Sequence, residues 1–281
     1  MILRVEHTLH YSYTAAVLLT PHLVYMSPRI SINQQLLAYS LEILPTPSLY
    51  FHNLDAEGNT QSMAFFNQNT ESLSFKLNFQ INSEPYNPFQ FIYFPFEAEK
   101  IPFKYSATEL NLLQAYFKQE GVTTLIHQFS RQIASEAYWE TTSFLMMLAR
   151  YIQENFNYEI REQGEANPPE KTLISRKGSC RDYAVLMIAT CRAIGLAARF
   201  VSGYCFGNEL QAHELHAWVE VYLPGAGWRG FDPTEGKMVD GYYIALAASA
   251  DAELINPVKG SFRGNALSKL NTYVNIYEEF T

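Results

Sequence analysis

The chain has 281 residues, of which 48% are hydrophobic and 17% charged, with a formal net charge of −8 and a pI near 5.4. At 32.2 kDa a folded body would bury roughly three quarters of the surface of its extended chain, so a large core needs no covalent staples. This balance excludes a disordered tail, and an acidic chain without a basic stripe argues against a nucleic-acid partner.

The start, Met1-Ile2-Leu3-Arg4-Val5-Glu6-His7, alternates like a strand and carries no apolar leader. Apolar runs such as Ile244 to Ala248 fall far short of a membrane span. A soluble cytoplasmic protein with no membrane partner is the expectation.

The first hundred residues read as β structure. Segments at Ile2–Tyr13, Gln35–Pro45, Ser48–Leu54, Met63–Asn67 and Leu73–Ile81 are rich in aromatic and branched residues and separated by turn formers. From Ser72 to Ile81 the apolar–polar alternation is unbroken, as a half-buried antiparallel strand requires. Asp55 to Asn59 reads as a hairpin turn. After Pro85, Pro88, Pro95 and Pro102 the pattern becomes helical. Leu110, Leu113 and Phe117 recur at helical spacing, then Ile126, Phe129 and Ile133, then Phe144, Leu148, Ile152 and Phe156. Thr108 is the expected cap of the first helix, and Thr142 or Ser143 that of the last. The domain boundary is placed near residue 100, giving a β-rich domain over 1–100 and a second domain over 101–281. Glu159 to Gly178, with Pro168-Pro169, reads as a surface loop.

The chemically distinctive stretch is Ser175 to Thr234. Cys180 to Ile194 reads as a helix capped by Ser179 and stopped by Gly195, with Ala184, Met187, Ile188 and Cys191 on one face. Ala197–Phe206, Glu214–Leu223 and Trp228–Phe231 read as strands. Cys180 falls in a first helical turn, where unpaired N–H groups favour a thiolate; the alternative is a small apolar residue packed at a helix start. Arg181 would assist the thiolate, whereas Asp182 is expected to bond the helix start. Three cysteines, Cys180, Cys191 and Cys205, cannot form a disulfide framework.

Period two puts His216 on a face with Glu214, Trp218, Glu220 and Tyr222, opposite the apolar row Leu215, Ala217, Val219 and Val221. His216 is either an idle exposed residue or a group aimed into a crevice, and His213 reads as an edge residue. Asp232, before Pro233, is either a turn initiator or a partner for His216. A symmetric hairpin about Pro224–Gly227 sets Asp232 opposite Val219, three residues from His216 and roughly 10 Å away along the strand. A bulge, a twist or a shifted turn is needed to bring the two together. Cys180 as nucleophile, His216 as base and Asp232 as ring orienter would form a coherent engine. Helix-start N–H groups would bind the oxyanion, with Asn155 or Gln163 as candidate side-chain donors.

The segments Gly178-Ser179-Cys180-Arg181-Asp182-Tyr183-Ala184, Cys191 to Tyr204, His216 to Tyr222 and Gly227 to Thr234 resemble, in this order, the core of the transglutaminase-like superfamily. The combined spacing, 36 residues from Cys180 to His216 and 16 more to Asp232, is specific where any single fragment is not. Phe156-Asn157-Tyr158 resembles the approach to that core, while Asp240–Tyr243 and Val258–Gly264 match only loosely. The resemblance implies an α+β fold with a papain-like Cys180–His216–Asp232 site on a helix packed against an antiparallel sheet. It also implies that the β region is the extra N-terminal domain of bacterial members.

The function expected is cysteine-dependent acyl transfer on a peptide or protein amide substrate, with hydrolysis favoured over transfer to an amine and no cofactor. Trp218 or Trp228 could shield such a site from water. A non-catalytic binding protein on the same fold is the second reading. A zinc site from Cys180, His216 and Asp232 is the third, weakened by the lack of a close Cys-x-x-Cys or His-x-x-x-His pair.

Overall fold

The computed structural model describes all residues except Ile30, 162–163, 208–214 and 280–281. The chain begins with strands β1 (Ile2–Leu19), β2 (His22–Val24), β3 (Gln34–Leu44), β4 (Leu49–Leu54), β5 (Thr60–Phe65) and β6 (Asn69–Ser83). β1 is long because its alternation persists. Leu3, Val5, His7 and Leu9 are buried, while Arg4, Glu6, Thr8 and His10 lie on the other face. It pairs antiparallel with β6 (Val5 opposite Phe79), and β6 with β3 (Tyr39 opposite Phe79). β2, β5 and β4 form a second sheet. Its β4–β5 hairpin turns at Asp55, whose carboxylate accepts the N–H groups of Glu57 and Asn59, both at 2.9 Å.

Helices α1 (Ala107–Leu112), α2 (Thr124–Glu136) and α3 (Thr141–Asn155) follow. Their caps differ from the expected ones. Ser106, not Thr108, caps α1, because Glu109 stands where a reciprocal capping box needs it. α3 starts at Thr141 after Glu140, not at the expected Thr142 or Ser143 cap, because nearby hydroxyls serve tertiary contacts. Thr141 Oγ1 donates to the Ala98 carbonyl at 2.6 Å and Thr142 Oγ1 bonds Tyr93 Oη at 2.6 Å.

The expected surface loop at 159–178 contains regular structure. β7 (Asn157–Tyr158) pairs in parallel with β8 (Lys177–Gly178), and α4 (Pro169–Ser175) lies between them. Pro169 occupies a position that needs no N–H donor, so the Pro-Pro pair starts a helix here.

The second half is α5 (Cys180–Ala193), β9 (Ala198–Cys205), β10 (His216–Leu223), β11 (Gly227–Asp232), β12 (Lys237–Met238) and β13 (Tyr243–Ser249). The sheet order is β12-β11-β10-β9-β13, antiparallel throughout. α5 lies on this sheet with α2, α3 and α4 around it. Ala184, Met187 and Cys191 are buried on one side, and Leu186 and Ala189 on the opposite one. A helix apolar nearly all round is held from all sides, which fixes where its first residue points. The α+β class with a helix on an antiparallel sheet is what the chain adopts.

β14 (Val258–Lys259), β15 (Phe262–Arg263) and β16 (Ser268–Glu279) then return to the N-terminal sheets. β16 pairs with β1 from Tyr13/Ser268 to Ile2/Glu279, so the end of the chain completes the first sheet. That sheet docks on the second half through a shared core of Leu3, Val5 and Phe79 with Tyr204, Ile244 and Leu246. Each such side chain contributes roughly 1.5–3 kcal/mol of burial. Hydrogen bonds along β13 add direction: the Arg29 N–H to the Ala245 carbonyl (2.8 Å), Gln34 Nε2 to the Tyr243 carbonyl (2.8 Å), and Asn59 Nδ2 to the Ala248 carbonyl (2.9 Å). Among the described residues, no helix is long and apolar enough to cross a membrane.

His7 sits in this junction. Its Nδ1 shares a 2.7 Å hydrogen bond with Tyr204 Oη, and its Nε2 lies 3.3 Å from Thr272 Oγ1. Burial lowers its pKa to about 4. The unfolded chain therefore takes up a proton near pH 6.5 that the folded chain refuses until about pH 4. Stability from this group is complete above pH 6.5 and is lost as pH falls toward 4. Urea unfolding at both ends of that window should show a wild-type loss about 3 kcal/mol larger than that of His7→Gln, which keeps a donor and an acceptor but does not titrate. Equal losses in the two proteins would contradict it.

Candidate active site

Cys180 is the first residue of α5, and the preceding turn is tightly held. The Asp182 carboxylate, fully buried, accepts the Ser179 N–H (2.8 Å) and hydroxyl (3.0 Å) through Oδ2. Its Oδ1 accepts Arg161 Nη2 (2.5 Å) and the Asn167 N–H (2.6 Å). Arg181 donates to the carbonyls of Gly164 (2.8 Å) and Arg161 (2.7 Å). Arg181 and Asp182 thus tie the segment around 161–167 to the helix start. Gly178 is required beneath them, since a Cβ there would stand 2.7 Å from Asp182 Cβ. The pairing of Tyr158 with Gly178 brings the Phe156-Asn157-Tyr158 segment beside the cysteine.

His216 opens β10 and is 2% exposed, so the idle-surface alternative does not apply. Both faces of β10 are covered here: Ala217, Val219 and Val221 pack toward α5, and Trp218 packs with Val201 and Tyr243. His216 Nε2 meets Asp232 Oδ2 at 2.7 Å. The β10–β11 register explains the contact. Leu223 pairs with Gly227 and Val219 with Phe231, one residue off the symmetric hairpin. Gly225 and Gly227, at φ 81° and 74°, close a loop of three residues in place of four. Asp232 therefore follows the Val219–Phe231 pair on the face of His216, two positions away diagonally rather than three across.

Asp232 makes both a turn contact and a contact to His216, one on each oxygen. Oδ1 accepts the N–H groups of Thr234 (2.8 Å) and Glu235 (3.3 Å), closing the turn. Oδ2 takes His216 and the hydroxyl of Tyr243, also at 2.7 Å. Tyr243 comes from β13, on the far side of β9, where Gly203 stands between the β13 backbone and Trp218. Only glycine fits there, because a Cβ would collide with the Ile244 carbonyl and lie 2.7 Å from Trp218 Cη2. The sequence reading missed Tyr243. Nothing in the spacing of β13 announces it, and only the β9–β13 register (Tyr243 opposite Cys205) brings it in.

Burial works against a charge on either partner of the pair. The Asp232 carboxylate nevertheless outweighs burial at His216, followed by Cys180, which hydrogen-bonds to the same ring; the imidazole pKa is raised to about 10. At Asp232 burial is likewise overcome, by the positive His216 ring and by the bonds from His216, Tyr243 and Thr234, and the carboxyl stays below its ordinary value. Burial and the neighbouring carboxylate push the Tyr243 phenol up, so it remains a donor. With Nε2 on Asp232, Nδ1 is the nitrogen left to face Cys180. The other two thiols are poor rivals. Burial raises Cys191, and burial with nearby Asp232 pushes Cys205 up to about 12.

The remaining candidates lie elsewhere. Asn155 is exposed and donates to the Tyr151 carbonyl of its own helix (2.9 Å), so it does not offer an oxyanion donor. Trp228 stacks under Arg199, whose guanidinium carbon is 4.0 Å from the ring centroid, and does not cover the site. Trp218 packs behind His216, away from the cavity. Gln163, His213 and Glu214 are outside the described residues. Among the described residues, no group of three or more His, Cys, Asp or Glu side chains is arranged to hold a metal ion. Cys180 and His216 instead face a cavity of about 550 Å³.

A cysteine thus opens a buried helix, and a hydrogen-bonded histidine–aspartate pair stands on the adjoining antiparallel sheet. Residues 127–233 match the description Transglutaminase-like superfamily, and residues 3–82 match the Bacterial transglutaminase-like N-terminal region. The chain belongs to the transglutaminase-like superfamily and carries that N-terminal region. Uncharacterized proteins of Mycobacterium bovis and Mycobacterium tuberculosis are 27% identical over 281 residues, spanning 94% of this chain and 88% of theirs. A Pseudomonas aeruginosa protein-glutamine gamma-glutamyltransferase is 36% identical over 98 residues, 31% of this chain and 15% of that protein. The crystal structure of a "Putative Cysteine Protease" from Cytophaga hutchinsonii shares the fold, with TM-score 0.73 and 22% identity over 100% of this chain and 92% of that one.

The pair makes a direct prediction. Nitrogen-15 NMR of the His216 ring should show an imidazolium through neutral pH that titrates near 10. In Asp232→Asn the opposing effect of burial prevails and the midpoint should drop below the ordinary 6.5. An unchanged midpoint in the variant would refute the electrostatic account.

Proposed function

We propose that this chain is a cysteine-dependent acyl transferase on peptide or side-chain amides, with Cys180 as nucleophile, His216 as proton carrier and Asp232 as ring orienter. The observation that carries the reading is Cys180 on a rigid helix start, bonded to a histidine whose far nitrogen is held by a buried carboxylate, all beside a cavity.

In the first step the Cys180 sulfur attacks the amide carbonyl carbon and a C–S bond forms. The N–H groups of the first turn of α5, which have no carbonyl partner within the helix, receive the oxyanion. The C–N bond then breaks, His216 gives its proton to the departing amine, and a thioester remains on Cys180. In the second step His216 takes a proton from water as the oxygen attacks the thioester, releasing a carboxylic acid and the cysteine. Hydrolysis is the assigned outcome, because water needs no recognition site beyond His216 whereas an amine acceptor does. Asp232 does not change its own protonation in either step. Tyr243 supports the carboxylate from behind and is a positioning residue.

The test is incubation with a diverse peptide library, with and without a primary amine, analysed by mass spectrometry. Cleavage or deamidation products without amine adducts are expected, and they should vanish in Cys180→Ala. His216→Ala should lower the rate by about 10²–10⁴-fold. Amine adducts in place of hydrolysis would reassign the acceptor. Products that persist in Cys180→Ala would remove the reading altogether.

A further inference from the structure

The first sheet reaches past its docking contact and walls the cavity in front of Cys180. On β1 the inward row Leu3, Val5, His7, Leu9 and Tyr11 runs beside β16, where Val274 faces His7, Thr272 faces Leu9 and Leu270 faces Tyr11. The Leu3–Val5 end is buried with Tyr204, Ile244 and Leu246. At the other end Leu9, Tyr11 and Leu270 line the cavity shared with Cys180 and His216, and Leu215, Ile255 and Val258 line it from other segments.

We infer that this apolar wall is a subsite for a bulky, uncharged side chain of the acyl donor, of the leucine or phenylalanine class, next to the amide under attack. The inference rests on the reading of Cys180 as the nucleophile. At about 550 Å³ the cavity is well within the ~300–1,000 Å³ of pockets that enclose a small ligand.

Among the described residues lining the cavity, Arg161, Arg181 and Glu253 are engaged with the protein itself. Arg161 is bonded to Asp182 and to the Glu165 carbonyl, and Arg181 to two loop carbonyls. Glu253 accepts the Ala166 N–H and Asn256 Nδ2. Glu165 stands at the exposed rim. His7 and Thr272, the polar pair in the wall, lie within hydrogen-bond reach of each other. A carboxylate or ammonium entering between Leu9, Tyr11 and Leu270 would lose water against apolar side chains.

The subsite is tested by binding, independently of turnover. Capped peptides acetyl-Ala-X-Ala-amide, with X as Gly, Leu, Phe, Glu or Lys, are titrated into full-length Cys180→Ala and followed by NMR. The Leu and Phe peptides should bind about tenfold or more tightly than the others. Adding Leu270→Trp, which fills the wall from β16, should bring that ratio to about one. Val258→Trp does the same from β14 and guards against a folding defect in the first variant, with thermal melting as the check on both. Equal binding of all five peptides, including no detectable binding of any, would overturn the subsite, as would a preference that survives both tryptophan variants. A preference in Cys180→Ala alongside a native protein that turns over no amide would count against acyl transfer and leave the subsite standing.

Discussion

A carboxylate and an imidazole share a 2.7 Å hydrogen bond where neither is in contact with bulk water. Either ion alone would be strongly disfavoured there, and the two are tolerated together only because nearly every lone pair and proton has a partner. That requirement explains much of the surrounding structure. The three-residue β10–β11 loop sets the register, Gly203 leaves room for the Trp218 ring and the β13 backbone, and Tyr243 reaches from β13 to supply a donor. The Asp182 cluster does the same for the helix start and holds Cys180 against the ring. Rigidity around the cysteine therefore comes from two buried carboxylates, one on each side of it.

The parts of this arrangement legible in the sequence were those written in local pattern. Unbroken alternation marked β1 and β6, and three- and four-residue spacing marked α2 and α3. The order of the Cys180, His216 and Asp232 segments marked the family. The parts not legible depend on where distant segments meet. A turn one residue shorter than the symmetric reading changes which face Asp232 occupies, and two glycines at positive φ decide that. α4 was hidden because a Pro-Pro pair reads as loop until its second proline is seen at a helix start. The cap at Ser106 depends on the reciprocal bond with Glu109, and the start of α3 after Glu140 was hidden because the tertiary partners of the Thr141 and Thr142 hydroxyls are not written in local pattern. Tyr243 had no local signature at all.

The relation between the two halves is also tertiary information. An N-terminal β region in front of a thiol core suggests an appendage when read along the chain. β16 joins β1 over its first twelve residues, and β14 joins β2, so the end of the chain is part of the N-terminal sheets. The same β1 face that buries Leu3 and Val5 continues as the cavity wall beside Cys180. Function lies in sites carried by a fold, and a wall contributed by an additional region is a physical means of setting which ligand reaches such a site.

The central claim is that His216 makes Cys180 the reactive thiol of this chain. The most direct measurement is the rate of alkylation by iodoacetamide at neutral pH, resolved for Cys180, Cys191 and Cys205 by peptide mass mapping in the native protein and in His216→Ala. The account predicts selective modification of Cys180, slowed about tenfold or more without the histidine. Equal Cys180 rates in the two proteins would contradict it.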